Sequence, residues 1–253
     1  MPSIFITGAA QGIGRTTADL FWSRGWFVGA VDVDDAAVRQ WADDKGERAF
    51  AAALDVTDTA RWPAVLAEFQ AAANGTIDVL LNNAGILADG PFAEIPLAKQ
   101  HTIVDVNVKG VMNGCYFAKP MLETGARVIN LCSASALYGA PSVATYSASK
   151  FAVRALTEAL RIEWAADGIT VCDLMPIFVR TAMVDNMTKV QATIKLGVHI
   201  TPEQVANTIL RAATDKRPSI HYPVGSQTHQ MKFAGRFMPD WVMSAITRKL
   251  SGF

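Results

Sequence analysis

The sequence has no run of apolar residues approaching the roughly 18 needed to cross a bilayer, so nothing in it is expected to span a membrane. The start, Met1-Pro2-Ser3-Ile4-Phe5-Ile6, has no basic stretch before its apolar residues, and no signal peptide is expected. Cysteine is scarce: Cys115, Cys132 and Cys172 are odd in number and show no C-x-x-C spacing. They read as reduced thiols of a cytoplasmic protein, not as a disulfide frame. The four histidines have no metal-ligand spacing, so no metal site is expected. Net charge is absent too, at +0, which argues against a nucleic-acid partner, since such proteins carry a basic excess. No internal repeat, low-complexity tract or linker breaks the chain.

What remains is 253 residues, half of them hydrophobic, enough to bury the core of one large α/β domain. Ser3 to Thr7 reads as a buried strand and runs into Thr7-Gly8-Ala9-Ala10-Gln11-Gly12-Ile13-Gly14, then a helix to about Arg24. Glycines between a strand and a helix let the backbone approach a pyrophosphate resting on the helix N-terminus. Trp26 to Val31 reads as the second strand and ends in Asp32, an acid placed to accept hydrogen bonds from an adenosine ribose. Strands at Ala49–Leu54, Ile77–Leu81, Ala126–Leu131, Ile169–Leu174 and Ser219–Val224 follow, with helices at Arg61–Ala73 and Lys99–Leu122. A helix opens at Thr201-Pro202-Glu203. The alternation predicts a single Rossmann-type domain over residues 1–253: a doubly wound, seven-stranded parallel sheet with helices on both faces. Residues 177–200 show no clear period and carry Met183, Val184, Met187, Ile194 and Leu196, the pattern of a lid.

Tyr146 and Lys150 stand four apart in Tyr146-Ser147-Ala148-Ser149-Lys150, ahead of a helical run to Trp164. That spacing puts both on one helix face. An ammonium beside a phenol favours the phenolate and so lowers the tyrosine pKa toward the neutral range. Asn107, inside the long helix, is unfavourable there unless it is functional, marks a helix irregularity or is simply exposed.

These pieces together resemble the short-chain dehydrogenase/reductase family over residues 3 to about 224. The resemblance is carried by the Thr7–Gly14 turn, Asn82-Asn83-Ala84-Gly85, Asn107, Ser133 thirteen residues before Tyr146, and the Tyr146/Lys150 pair. It implies an NAD-dependent oxidoreductase that interconverts a secondary alcohol and a ketone. Tyr146 would be the general acid/base, Lys150 would lower its pKa and hold the nicotinamide ribose, Ser133 would bond the substrate oxygen, and Asn107 would hold a water linking Lys150 to solvent. Gly8, Gly12, Ile13 and Gly14 would take the pyrophosphate. Asp55 and Val56 would flank the adenine, and Asn83, Ala84 and Gly85 would line the adenosine side. Val179 and Thr181, beyond Pro176, would contact the carboxamide.

NAD is expected over NADP: Asp32 would face a 2′-phosphate, and the family's usual basic positions are here Gln11 and Val33. The family's Pro-Gly after the sixth strand is here Pro176-Ile177, and an Ile would be strained if that position needs a positive φ. Leu87, Phe92, Leu137, Tyr138 and Val143 fall where family substrates bind, which implies a hydrophobic small-molecule substrate; packing beneath the lid is the alternative. A homo-oligomer, dimer or tetramer, is the implied assembly.

The tail, residues 225–253, matches no motif. Within it Asp240 to Leu250 is expected to form a helix that docks Trp241, Ala245, Ile246 and Leu250 onto the protein or a partner subunit, with no membrane partner; peripheral membrane binding is the alternative. A non-catalytic NAD(P)-binding sensor or scaffold is the rival function. A serine hydrolase is excluded by the lack of a G-x-S-x-G elbow.

Overall fold

A computed structural model describes residues 1–73, 75–185, 187, 195, 197–235 and 237–252. The expected lid holds α7 (Ala182–Asp185), and much of the rest, residues 186, 188–194 and 196 with Ile194 and Leu196 among them, lies outside the described residues.

Seven parallel strands run in the order β3-β2-β1-β4-β5-β6-β7. They are β1 Ser3–Thr7, β2 Phe27–Asp32, β3 Ala49–Ala53, β4 Val79–Asn82, β5 Arg127–Leu131, β6 Thr170–Pro176 and β7 His221–Val224. Successive side chains of β1 leave opposite faces, as strand geometry requires. Phe5 enters one core layer with Trp62, Phe69, Val111 and Val153. Ile4 and Ile6 enter the other with Phe21, Val38, Trp41 and Ile209. Both layers are apolar, which is why β1 reads as an unbroken hydrophobic run. The first layer lies under α3 (Trp62–Ala73), α5 (Gly110–Ala118) and α6 (Ala144–Glu163), the second under α1 (Gly12–Ser23), α2 (Asp35–Lys45) and α8 (Pro202–Thr214). The sheet winds outward from β1 and β4, where the chain order reverses, and a crevice opens there beyond the strands' carboxyl ends.

Three expectations need correction. The segment between β2 and β3, to which the sequence assigns no element, holds a helix, α2. Asp34 is its N-cap, accepting from the Ala37 amide at 3.1 Å. Only Val38 and Trp41 of that helix are buried, too few for a clear apolar stripe. The long helix over Lys99–Leu122 is not continuous. It divides into α4 (Leu97–Val104), a π-helical turn (Asp105–Lys109) and α5, followed by a 3₁₀ turn, Lys119–Met121. The tail holds α9 (Ser226–Gly235) as well as α10 (Asp240–Ser251).

The opening of α8 follows its sequence. Thr201 Oγ1 accepts from the Gln204 amide, Gln204 Oε1 accepts from the Thr201 amide at 2.9 Å, and Pro202 fills the first turn.

Candidate active site

The turn after β1 is built to let another chain segment come close. Gly8 has φ +68°, and a Cβ on it would stand 2.8 Å from Ala84 Cα. Gly12 has φ +55° and opens toward Thr181. Gly14 has no such backbone need, yet a Cβ there would meet Gly8 O at 2.1 Å. The β4 end braces the same turn. Thr7 Oγ1 accepts from the amides of Asn83 and Ala84, both at 3.1 Å. Asn83 Nδ2 donates to Thr7 O and Gly8 O, both at 2.9 Å. Thr7 thus joins the site as a brace; it stood inside the glycine turn but was not singled out.

Around this turn a cleft of about 390 Å³ runs across the carboxyl ends of the strands. Gly8, Gln11, Gly12, Ile13, Asp32, Val33, Asp55, Val56, Asn83, Ala84, Gly85, Tyr146, Lys150, Pro176, Val179 and Thr181 all line it. Of the residues expected to hold a cofactor, Gly14 alone does not: it lies beneath the turn, in contact distance of Gly8 and Asn83. Sequence reasoning missed Ile86, Val106 and Leu131, which also line the cleft. No motif marks them, and only their places beside Gly85, Asn107 and Cys132 could have pointed to them.

Asp32 closes the far side. Its Oδ2 accepts from the Ala10 amide at 2.9 Å and its Oδ1 from the Asp34 amide at 3.1 Å. Arg15 is turned away from the cleft. Its guanidinium donates to Ala9 O and Ala37 O at 3.2 and 2.8 Å and lies over the Trp41 ring. Asp55 is tied locally, its Oδ1 accepting from the Thr57 amide and hydroxyl.

At the other end stand Ser133, Tyr146, Lys150 and Asn107. Ser133, just past β5, caps a short 3₁₀ turn by accepting from the Ser135 amide at 3.2 Å. Tyr146 and Lys150 are both in α6, and the four-residue spacing sets Lys150 Nζ 5.5 Å from the Tyr146 ring centre. Lys150 is buried and donates to Leu131 O at 2.8 Å. Asn107 is fully buried in the π-helical turn. Its Oδ1 accepts from the Ile86 amide at 2.8 Å, and its Nδ2 donates to Ile86 O at 2.9 Å and Ser149 Oγ at 3.1 Å. The polar mid-helix asparagine therefore marks an irregularity, as π turns often do near functional sites, and exposure is ruled out. Gly85 lets the two side chains converge: a Cβ there would meet Asn107 Oδ1 at 3.3 Å and Lys150 Nζ at 3.7 Å.

In the protein alone the tyrosine pKa is not lowered. Burial pushes the Tyr146 hydroxyl up to about 12, opposed by its hydrogen bond with Ser133. Burial also holds the Lys150 ammonium below its ordinary value. Low local polarity penalises both charged forms. Cys132, Cys115 and Cys172 are buried, unpaired thiols pushed up to about 12 by burial, so none is a nucleophile.

A second cavity, of about 310 Å³, adjoins the first and is lined mainly by apolar side chains. Ser133, Tyr146, Ile177, Met183 and Val184 line both spaces. Leu87, Tyr138 and Val143 line the second cavity as expected. Phe92 and Leu137 do not: Phe92 is 61% exposed, and Leu137 packs on the core. The tail supplies much of the remaining wall through Met231, Ala234, Met238, Met243, Ile246 and Leu250. Half of the expected docking face of α10 meets the cavity. Ile246, itself 40% exposed, and Leu250 line it together with Met243, while Trp241 and Ala245 are exposed outside its wall.

Ile177 avoids the strain that a positive φ would bring. Among the described residues Ser142 alone, apart from glycines, has one, so Ile177 keeps an ordinary backbone and sets its side chain between the two cavities.

A sequence profile described as short chain dehydrogenase matches residues 2–192. The chain belongs to the short-chain dehydrogenase family. This family member is 33% identical to a 3-alpha-(or 20-beta)-hydroxysteroid dehydrogenase of Mycobacterium tuberculosis, over 83% of this chain and 82% of that one. It is 32% identical to a 3-beta-hydroxysteroid dehydrogenase of Comamonas testosteroni, over 88% and 92%. Among solved structures it resembles a 3-ketoacyl-(acyl-carrier-protein) reductase from Brucella melitensis complexed with NADH, with a TM-score of 0.82 at 27% identity over 90% and 98% of the two chains. As a member of the family, it is an oxidoreductase with the family's single Rossmann-like domain.

Proposed function

We propose that the protein is an NAD-dependent oxidoreductase that interconverts a hydrophobic secondary alcohol and its ketone. The observation that carries this reading is the shared wall: Ser133 and Tyr146 line both the cleft at the glycine turn and the apolar cavity beside it. A carbonyl placed at that junction faces both hydroxyls. The bound dinucleotide supplies the hydride. Ser133 donates a hydrogen bond to the carbonyl oxygen, and Tyr146 Oη gives it a proton as the carbon is reduced; in oxidation the phenolate takes that proton back. Lys150 holds the ribose and places positive charge near the phenolate. Asn107, fixed by Ile86 and Ser149, positions the amide that faces Lys150 across Gly85. The turn suits a pyrophosphate because Gly8, Gly12 and Ile13 line the cleft at the N-terminus of α1, where helix amides favour an anion.

The methionine-rich, apolar second cavity supports a hydrophobic substrate, and the hydroxysteroid dehydrogenases among the relatives accord with it. The unpaired thiols support a cytoplasmic protein. A homo-oligomer is supported by large exposed side chains on α5 and α6, Met112, Tyr116, Phe151 and Ile162, the last 78% exposed. Light scattering is expected to give a mass above that of one chain.

NAD over NADP rests on Asp32. Its carboxylate is held by two backbone amides at the cleft wall, where a 2′-phosphate would meet it, and Arg15 is engaged elsewhere. The test is kcat/KM with each cofactor. Wild type is expected to prefer NAD, and Asp32→Ala to shrink that preference about tenfold or more, since one charge contact of about 1.4 kcal/mol is worth that factor. Equal use of the two cofactors by wild type, or an unchanged ratio in the variant, would end this assignment.

A further inference from the structure

The tail has two faces, and the reaction uses only one. On the inner side Met243, Ile246 and Leu250 of α10 wall the apolar cavity. On the outer side Trp241, Ala245 and Arg248 follow at i, i+4 and i+7, one stripe along a helix. None of the described residues of α10 is fully buried, so the body of the protein does not cover that stripe. Trp241 is 75% exposed, Phe233 72% and Phe237 68%. The two phenylalanine rings meet edge to face at 5.4 Å. Three large aromatic rings within nine residues of a surface is far from the scattered single apolar residues that soluble surfaces normally carry. The charge of this stretch of sequence is one-sided: residues 225–253 hold Lys232, Arg236, Arg248 and Lys249 against Asp240. Lys195 adds its ammonium to the end of α10 by donating to Lys249 O.

We infer that α9 and α10 form a docking surface for the headgroup region of an anionic lipid bilayer. Exposed Trp and Phe with Lys and Arg around them is the chemistry that settles at that boundary: the rings leave water, and the cations meet lipid phosphates. A second protein copy would satisfy the rings but not the cations, which would meet their own kind. On the proposed reading of the cavity, the same helices would stand between the bilayer and the substrate space, so a hydrophobic alcohol or ketone dissolved in lipid would enter without crossing water.

The test is co-sedimentation of the full chain with vesicles of phosphatidylcholine alone and of phosphatidylcholine mixed with phosphatidylserine. A triple variant, Phe233→Ser, Phe237→Ser and Trp241→Ser, is run beside wild type. All three positions are exposed and outside the cavity wall, so fold and turnover of a small water-soluble ketone are expected to hold. Wild type is expected to pellet with the anionic vesicles, less so as salt is raised, and the triple variant to bind about tenfold more weakly or worse. Absence of pelleting with anionic vesicles, or equal pelleting of the variant, would overturn the inference. So would a fall in the wild-type assembly mass on making the triple variant, because the rings would then belong to a contact between copies. Loss of ketone turnover by wild type would strike the proposed reaction instead and leave vesicle binding standing.

Discussion

Tyr146→Phe is expected to lower kcat by about 10² to 10⁴, the usual worth of a positioned acid or base, while NADH still binds. The substitution removes one hydroxyl from a residue on the wall between the two cavities and leaves the ring in place. Its hydrogen bond with Ser133 goes with it, but no core contact does. The pH dependence should carry the same signature. In the protein alone burial sets the Tyr146 hydroxyl at about 12, so the proton-donating form prevails around neutrality. Ketone reduction needs that form: its kcat/KM should hold on the acid side and fall as pH rises through the tyrosine pKa. Alcohol oxidation needs the phenolate and should rise over the same range. Steady-state rates in both directions, with an NADH fluorescence titration of the variant, check both statements. A variant that keeps more than roughly a tenth of wild-type kcat would remove Tyr146 from the proton-transfer role.

Gly14→Ala is expected to damage both stability and cofactor binding. Two effects oppose each other. Alanine is the better helix former by about 1 kcal/mol, which alone would stabilise α1. Against that, the new Cβ would stand 2.1 Å from Gly8 O and 2.7 Å from Asn83 Nδ2. Gly8 O is backbone, in a turn fixed by Asn83 and Thr7, so it cannot swing aside. Overpacking of this kind costs about 1–3 kcal/mol, and the clash should win. The melting temperature should drop by roughly 2–12 °C for a domain of this size. NADH should bind about tenfold more weakly or worse, because the carbonyl that must move belongs to the glycine turn itself. Gly235→Ala is the control: its added Cβ meets nothing within 4 Å and its φ is ordinary, so it should be neutral or slightly stabilising. Matched melting curves for the two variants would refute this account of the turn.

The contrast between what was readable and what was not follows from where each feature gets its cause. The strand-glycine-helix turn and Asp32 at the end of β2 were readable because a dinucleotide site calls for close backbone approach and a ribose acceptor there, and Asn83 just past β4 only through the family resemblance; parallel winding then brings these strand ends together. Tyr146 and Lys150 were readable because helix periodicity alone sets them side by side. The ionisation of Tyr146 was not, because it depends on how much water the finished fold admits, and burial raises its pKa. The break in the helix around Asn107 was half readable: the odd residue was visible, the π turn was not. The docking face of α10 was half readable: Ile246 and Leu250 line the cavity as expected, but Met243 joins them and Trp241 stays 75% exposed. Which stripe of a helix docks is decided by its partner surface, and much of that surface comes from the turn after β5 and the start of α6, far away in sequence.

The central claim is that one junction, walled by Ser133 and Tyr146, reduces apolar ketones with NADH. Its most direct test follows NADH absorbance while the purified protein meets a panel of ketones and aldehydes graded in size and polarity. The account predicts NADH consumption with bulky apolar ketones, faster than with small polar ones of the same carbonyl reactivity. Tight NADH binding with no turnover of any carbonyl in the panel would contradict it and make the protein a non-catalytic dinucleotide-binding sensor or scaffold.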